Sequence, residues 1–289
     1  MKLSKLSLIF SVALLLMVAI NGAISLVVLG AFDRAQAVQD ERVEALRLVG
    51  ELRHEMDILA RLVRSYVVTR ETRYLTYYYA ILAIREGDRP ELEHVSPASY
   101  WDRVIAGEVR FEPPVEGRGV SMRSRMVSLG FQGPELAALE AVLAESQALK
   151  QIEQVAFAAT QGLYDPFAQA FASAGRRQAD LAMGLVFGRD YDLQHARVSV
   201  AVARLLQQVD QRTGVQVEEA RSQLRNWIIA VIVGMLSAAL LVLFGLRTTR
   251  NKVLIPLEDM SSATERLARG QYDVRVTGEG SVEEMRVLR

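Results

Sequence analysis

Four tyrosines, Tyr74, Tyr77, Tyr78 and Tyr79, stand beside Arg70, Arg73 and Arg85, and Trp101 follows in a proline-rich segment. Aromatic rings with a few placed charges are what a small-molecule pocket uses. Arg61 and Arg64 are three residues apart, so they share a helix face and could grip an anion with paired N–H donors. The candidate ligand-binding residues are Arg64, Tyr74, Tyr78, Arg85 and Trp101. A second reading competes with this one. Tyr74 and Tyr78 are spaced like core residues of a helix, and arginines usually face solvent, so base rates favour structure over ligand.

Other chemistry is poorly represented. The histidines His54, His94 and His195 are far apart and show no i, i+4 pairing, so no metal site is expected. His54 falls on a charged helix face and is expected to be solvated. There is no cysteine, which excludes disulfides, thiolate chemistry and Cys-based zinc sites. No nucleophile elbow, Walker loop or kinase signature occurs. Gly278-Glu279-Gly280 follows no strand and is not a phosphate loop. No catalytic residue and no cofactor is expected in these 289 residues. Lys+Arg and Asp+Glu both number 34, which gives no reason to expect nucleic acid as a partner.

The elements that would position these side chains begin with two charge-free stretches. Leu6 to Phe32 is 27 residues long and contains LLLMVAI and ISLVVLGAF. A membrane-crossing helix needs about 20 apolar residues, whereas a signal peptide has an apolar core of about 7–15 and a small-residue cleavage site. The stretch reads as a retained span. Asn226 to Leu246 is a second, 21 residues long, with Trp227 as an interfacial anchor. Lys2 and Lys5 precede the first; Arg247, Arg250 and Lys252 follow the second. The positive-inside rule then puts both ends in the cytoplasm and residues 33–225 outside.

The external block reads as helical. Ala45, Val49, Leu52, Met56, Leu59, Val63 and Tyr66 step alternately by four and three, the seam of a packed helix. Glu41, Glu44, Arg47, Glu51 and Arg53 fall off that seam. The pattern breaks near VVTRETRY, and RYLTYYYAILAIRE forms a second helix. Residues 87–134 hold five of the seven prolines and read as a loop-rich insertion with helical pieces at SYWDRVIAG and SMRSRMVSLG. Pro134 opens a helix to Leu163, with Leu149, Ile152, Ala156, Ala159 and Leu163 on one stripe. YDPFAQAFASAG makes a turn and a further piece. A last helix starts near Asp190, with Val198, Val202, Leu205 and Val209 as its seam, and enters the second span unbroken. No strand of useful length is visible; a mixed α/β sensor domain would need several. The expected fold class is all-α, with an external helical bundle of four-helix type, as one unit or as two stacked.

Beyond the second span, Pro256 is followed by Leu257, Met260, Thr264 and Leu267 in three-four-three steps, and Gly270 caps the helix. QYDVRVTGEG is an extended connector anchored by Val274 and Val276. Ser281 and Glu284 form a capping box that opens another helix. A juxtamembrane helix lying on lipid would instead need a basic polar face, and Glu258, Asp259 and Glu265 make this one mixed. The order resembles the HAMP linker of bacterial transmembrane receptors. The matching residues are Pro256, Leu267, Gly270, Val274, Val276, Glu284 and Met285, and with Leu257 and Met260 they are expected to relay the signal. Glu283 departs mildly from the Asp usual at that place in the family.

The external block, over roughly 60–212, is similar to the helical sensor regions of bacterial histidine kinases and chemoreceptors. The division expected is 1–5 cytoplasmic, 6–32 first span, 33–225 periplasmic sensor, 226–246 second span and 247–289 incomplete HAMP linker. The resemblance implies a homodimer in the bacterial inner membrane, in contact with lipid. It also implies a small-molecule ligand or a periplasmic binding protein as input partner. The second HAMP helix stops after nine residues, too short to be stable alone, so a further cytoplasmic output module is expected. A sensor histidine kinase of a two-component system, of hybrid type, is the first reading. A methyl-accepting chemotaxis receptor, a diguanylate cyclase and a non-enzymatic co-receptor stand behind it.

Overall fold

The computed structural model describes residues 3–91, 97–113, 117–173 and 175–255. These residues are mostly helical and fall into two compact units. One unit holds the described residues up to Gln36 and those from Glu218; the other is Ala37–Val217. Helix α1 is Leu3–Thr69 and helix α7 is Arg189–Thr249. Between them come α2 (Thr72–Glu86), α3 (Pro97–Ala106), α4 (Met122–Ser128), α5 (Pro134–Gln161) and α6 (Ala179–Phe187). A π-helical turn, Arg250–Leu254, follows α7.

In the first unit, α1 and α7 carry the charge-free stretches. Both are long and apolar enough to cross a membrane. Their apolar side chains are uncovered: Leu15 is 70 % exposed and Phe244 also 70 %. A core helix of equal composition would be buried, and such a surface in water would favour aggregation. Two glycines of α7 meet side chains of α1. A Cβ on Gly234 would collide with Asn21, and one on Gly245 with the Phe10 ring. Each contact pair is separated by eleven residues on both helices, as antiparallel packing requires. Small residues let helices approach closely where lipid supplies no hydrophobic drive.

In the second unit, every residue of the α1 seam from Ala45 to Tyr66 is buried. So are Val198, Val202, Leu205 and Val209 of α7. The core has two parts. In the first, Leu48 and Leu52 of α1 pack with Met126 of α4, Leu139 and Val142 of α5, and Leu205 of α7. In the second, Leu62 and Val63 of α1 pack with Tyr78 and Ile81 of α2, Trp101 of α3, Phe157 of α5 and Val186 of α6. Helices α1 and α5 serve both parts.

The helix ends follow local chemistry. Val67 and Val68 are poor helix formers, and Arg70 turns left-handed with φ 62°. The Thr69 hydroxyl oxygen accepts the Glu71 N–H at 3.2 Å, which ends α1. Gly87 and Gly162 cap α2 and α5 with φ 81° and 82°, a conformation that only glycine adopts cheaply. Pro134 occupies the first turn of α5, where its missing N–H costs nothing.

Two expectations need correction, and one element was not anticipated. Tyr164–Asp165 and Ala170–Phe171 form a small antiparallel strand pair where no strand was expected. The Asp165 carboxylate accepts the N–H groups of Phe167 and Ala168 and sets the tight turn. Helix α5 ends at Gly162, so Leu163 leaves its stripe and is 36 % exposed. Helix α6 precedes the last helix and is separated from it at Gly188, where a Cβ would collide with the Gly184 carbonyl. The HAMP-like residues Pro256, Leu257, Met260, Leu267, Gly270, Val274, Val276, Glu284 and Met285 lie outside the described residues.

Candidate functional site

Arg47, Glu51 and Glu55 recur every fourth residue along one face of α1. Facing them are Ile84 and Arg85 from the last turn of α2, Tyr100 and Trp101 from α3, and Met122 and Arg125 from α4. Together with Glu91 they enclose a cleft of about 220 Å3.

The glycine-rich connections make this convergence possible. The Gly119 N–H bonds the Gly87 carbonyl at 3.0 Å, and a Cβ on Gly87 would stand 2.8 Å from the Ser121 nitrogen. The start of α4 is thereby held against the end of α2. The Ser121 hydroxyl caps α4 by accepting the Ser124 N–H at 3.1 Å. One turn later Arg125 reaches Glu51, at 3.4 Å, and also pairs with Glu91.

The charges are unevenly satisfied. Arg47 grips Glu44 with two bonds, of 2.8 and 2.7 Å, and reaches Glu51 at 3.1 Å. That grip holds the Glu44 carboxyl below the usual range. Glu51 is thus shared by two arginines, and Glu91 is taken by one. Arg85 differs. It is only 9 % exposed, and among the described residues its one hydrogen bond is to the Met56 sulfur, at 3.5 Å. No carboxylate lies within ion-pair distance of it among the described residues.

Glu55 stands near Arg85 but does not bond it. Its Oε2 is shielded from solvent and has no hydrogen-bond partner. Burial pushes its pKa up to about 8, against the pull of Arg85 and Arg125 and with the push of Glu51 and Glu91. At neutral pH it is therefore mostly the neutral acid. Beneath the cleft, Glu153 of α5 accepts the Tyr78 hydroxyl at 2.6 Å and the Tyr191 hydroxyl at 2.8 Å. Burial raises the Glu153 pKa, while the two phenols oppose that shift.

The five candidate ligand residues are separated by the structure. Arg85 and Trp101 line the cleft. Tyr78 is buried in the core on Glu153. Tyr74 packs at the edge of the core, with the Arg73 guanidinium 4.7 Å from its ring. Arg64 donates to the Val186 carbonyl at 3.0 Å, pairs with Asp192 at 2.8 Å and lies over Phe187 and Tyr191. Arg61 is occupied by Asp102. His54 is not fully solvated: its Nε2 is shielded, 3.4 Å from Asp102. His94 lies outside the described residues, and no cluster of metal-ligating groups occurs among those that are described.

Sequence reasoning passed over Glu55, although a signal was there. Leu48, Leu52, Leu59 and Leu62 form a buried stripe in four-three steps, and Glu55 is the one acid in it. No protein-family model matches the chain, and no curated protein or solved structure matches it.

Proposed function

We propose that the chain is the input part of a bacterial inner-membrane receptor. A small ligand enters the cleft of the periplasmic domain, and the change passes along α7 into a HAMP-type linker. The receptor acts as a homodimer whose output is a histidine kinase of a two-component system. The sensor is a bundle in two packed layers, and the two parts of its core support that reading.

The observation that carries the proposal is the course of α7. One helix, Arg189–Thr249, supplies the buried seam of the second unit and then the apolar stretch 226–246. A shift of its seam against α1 needs no hinge to travel along it. Two packings of the linker would then be repopulated, which requires only that the ligand prefer one of them. The lysines and arginines that flank the spans support cytoplasmic ends.

The test is a fusion of residues 1–289 to a kinase core of known output, read by a reporter gene. Reversing the cleft charge with Arg85→Glu is expected to change basal output, and the exposed Arg110→Glu is not. Output unchanged by Arg85→Glu, in a fusion shown to be inserted and folded, sinks the receptor reading.

A further inference from the structure

We propose that the cleft among α1–α4 binds a small carboxylate with a flat apolar body, gripped by Arg85 and laid against Tyr100 and Trp101. The inference rests on the receptor reading and names the ligand class of that cleft. It starts from a cation that pairs with no carboxylate among the described residues. A guanidinium has five donors, and no nitrogen of Arg85 is among the buried atoms left unpaired, so its spare donors open onto the cleft. Arg85 uses one, on a sulfur. The described acids around it do not pair with it. Glu51 and Glu91 are held by Arg47 and Arg125. Both oxygens of Glu153 are held by the phenols of Tyr78 and Tyr191. Glu55 stays unbonded although it faces the same space.

A carboxylate answers this arrangement. Its two oxygens match the guanidinium fork, a geometry that a lone ammonium or a neutral amide cannot offer. Glu55 in its acid form adds a hydrogen-bond donor toward the same anion. An amine would need a free carboxylate, and Glu51 and Glu91 are already paired with arginines. The remaining wall is apolar. Tyr100 and Trp101 meet edge to face at 5.2 Å, with Ile84 and Met122 beside them. The volume of about 220 Å3 sets the size. A cavity of about 150 Å3 accepts benzene, so one ring and a carboxylate fit, and a drug-sized ligand does not.

The experiment uses the full chain in nanodiscs and four probes: benzoate, phenylacetate, benzamide and benzylamine. Melting shifts and calorimetric titration are the readouts. The carboxylates are expected to raise Tm saturably, and the amide and amine are not. Arg85→Met should weaken benzoate binding by roughly 10- to 100-fold, the loss of charged hydrogen bonds. Circular dichroism checks that the variant folds; should it fail, Arg85→Gln reads the same loss of charge. The proposal is overturned if neither carboxylate binds, if benzylamine or benzamide binds as tightly, or if a folded Arg85 variant binds benzoate like the parent. Carboxylate binding with a silent kinase fusion keeps this site and removes the receptor. A responsive fusion without carboxylate binding does the reverse.

Discussion

At the scale of single residues, the second unit treats two of its inward-facing acids, Glu153 and Glu55, differently. Glu153 is given two phenol donors and ties α2, α5 and α7 together. Each of its oxygens thus has a partner, so neither is left unpaired in the interior. Glu55 is given nothing for its Oε2, and it responds by keeping its proton up to a pKa of about 8. The consequence is a stability that depends on pH. Below about 4.5 both the folded and unfolded chains carry the proton. Between there and about 8 the unfolded chain has lost it and the folded chain has not. Unfolding is then favoured increasingly as pH rises, by at most about 1.4 kcal/mol per pH unit. Above pH 8 the loss is complete. Glu55→Gln removes the dependence. Its stability relative to the parent should grow by an order of a few kcal/mol from pH 5 to pH 8, measured by urea unfolding. Parallel curves for the two proteins would show that Glu55 is not buried as described.

At the scale of elements, the cleft depends on how α4 is brought beside α1. Gly87 is where that is decided. Its φ of 81° and the 2.8 Å approach that a Cβ would make to Ser121 leave no room for a side chain. Gly87→Ala should therefore cost about 2 kcal/mol or more. Gly50 provides the contrast. It sits inside α1 with nothing within 4 Å of a built Cβ. Gly50→Ala should stabilise by about 0.5–1 kcal/mol. Equal effects of the two in denaturant unfolding would contradict the close packing at Ser121. The long helices were legible because their seams repeat: each residue from Ala45 to Tyr66 and from Val198 to Val209 in those patterns is buried. Helix α6 was not, because its separation from α7 rests on the extended backbone of the single residue Gly188, which leaves no periodic trace. The strand pair was not legible either, since two-residue strands have no period to detect. The cleft was half legible. Arg85 and Trp101 drew notice as residue types, but of their neighbours on α1, Arg47 and Glu51 were read only as charges off the seam and Glu55 was passed over. What makes Glu55 exceptional is its position within a leucine stripe, and that is read only when the acids are checked against the seam.

At the scale of the molecule, the chain joins an apolar pair of helices to a domain of about 180 residues, Ala37–Val217. The pair has its own recognition, Gly234 on Asn21 and Gly245 on Phe10. Asn21 is notable because its Nδ2 donates to the Met17 carbonyl at 3.0 Å while its Oδ1 is shielded and unpaired. A polar group in such surroundings is costly and is kept where helices meet. Gly245→Leu would drive a side chain into the Phe10 ring. Disulfide formation between cysteines placed at Asn21 and Gly234 should then fall in membranes, with helical content unchanged. Undiminished cross-linking would mean that these helices do not pack in this register.

The turn Arg250–Leu254 has a consequence of its own. There the Ile255 N–H reaches back five residues, to the Arg250 carbonyl. An ordinary helix reaches back four. The turn thus stores one surplus residue between the apolar stretch and whatever chain follows. Releasing it into ordinary helix would swing the following chain about 100° around the axis and advance it by about 1.5 Å.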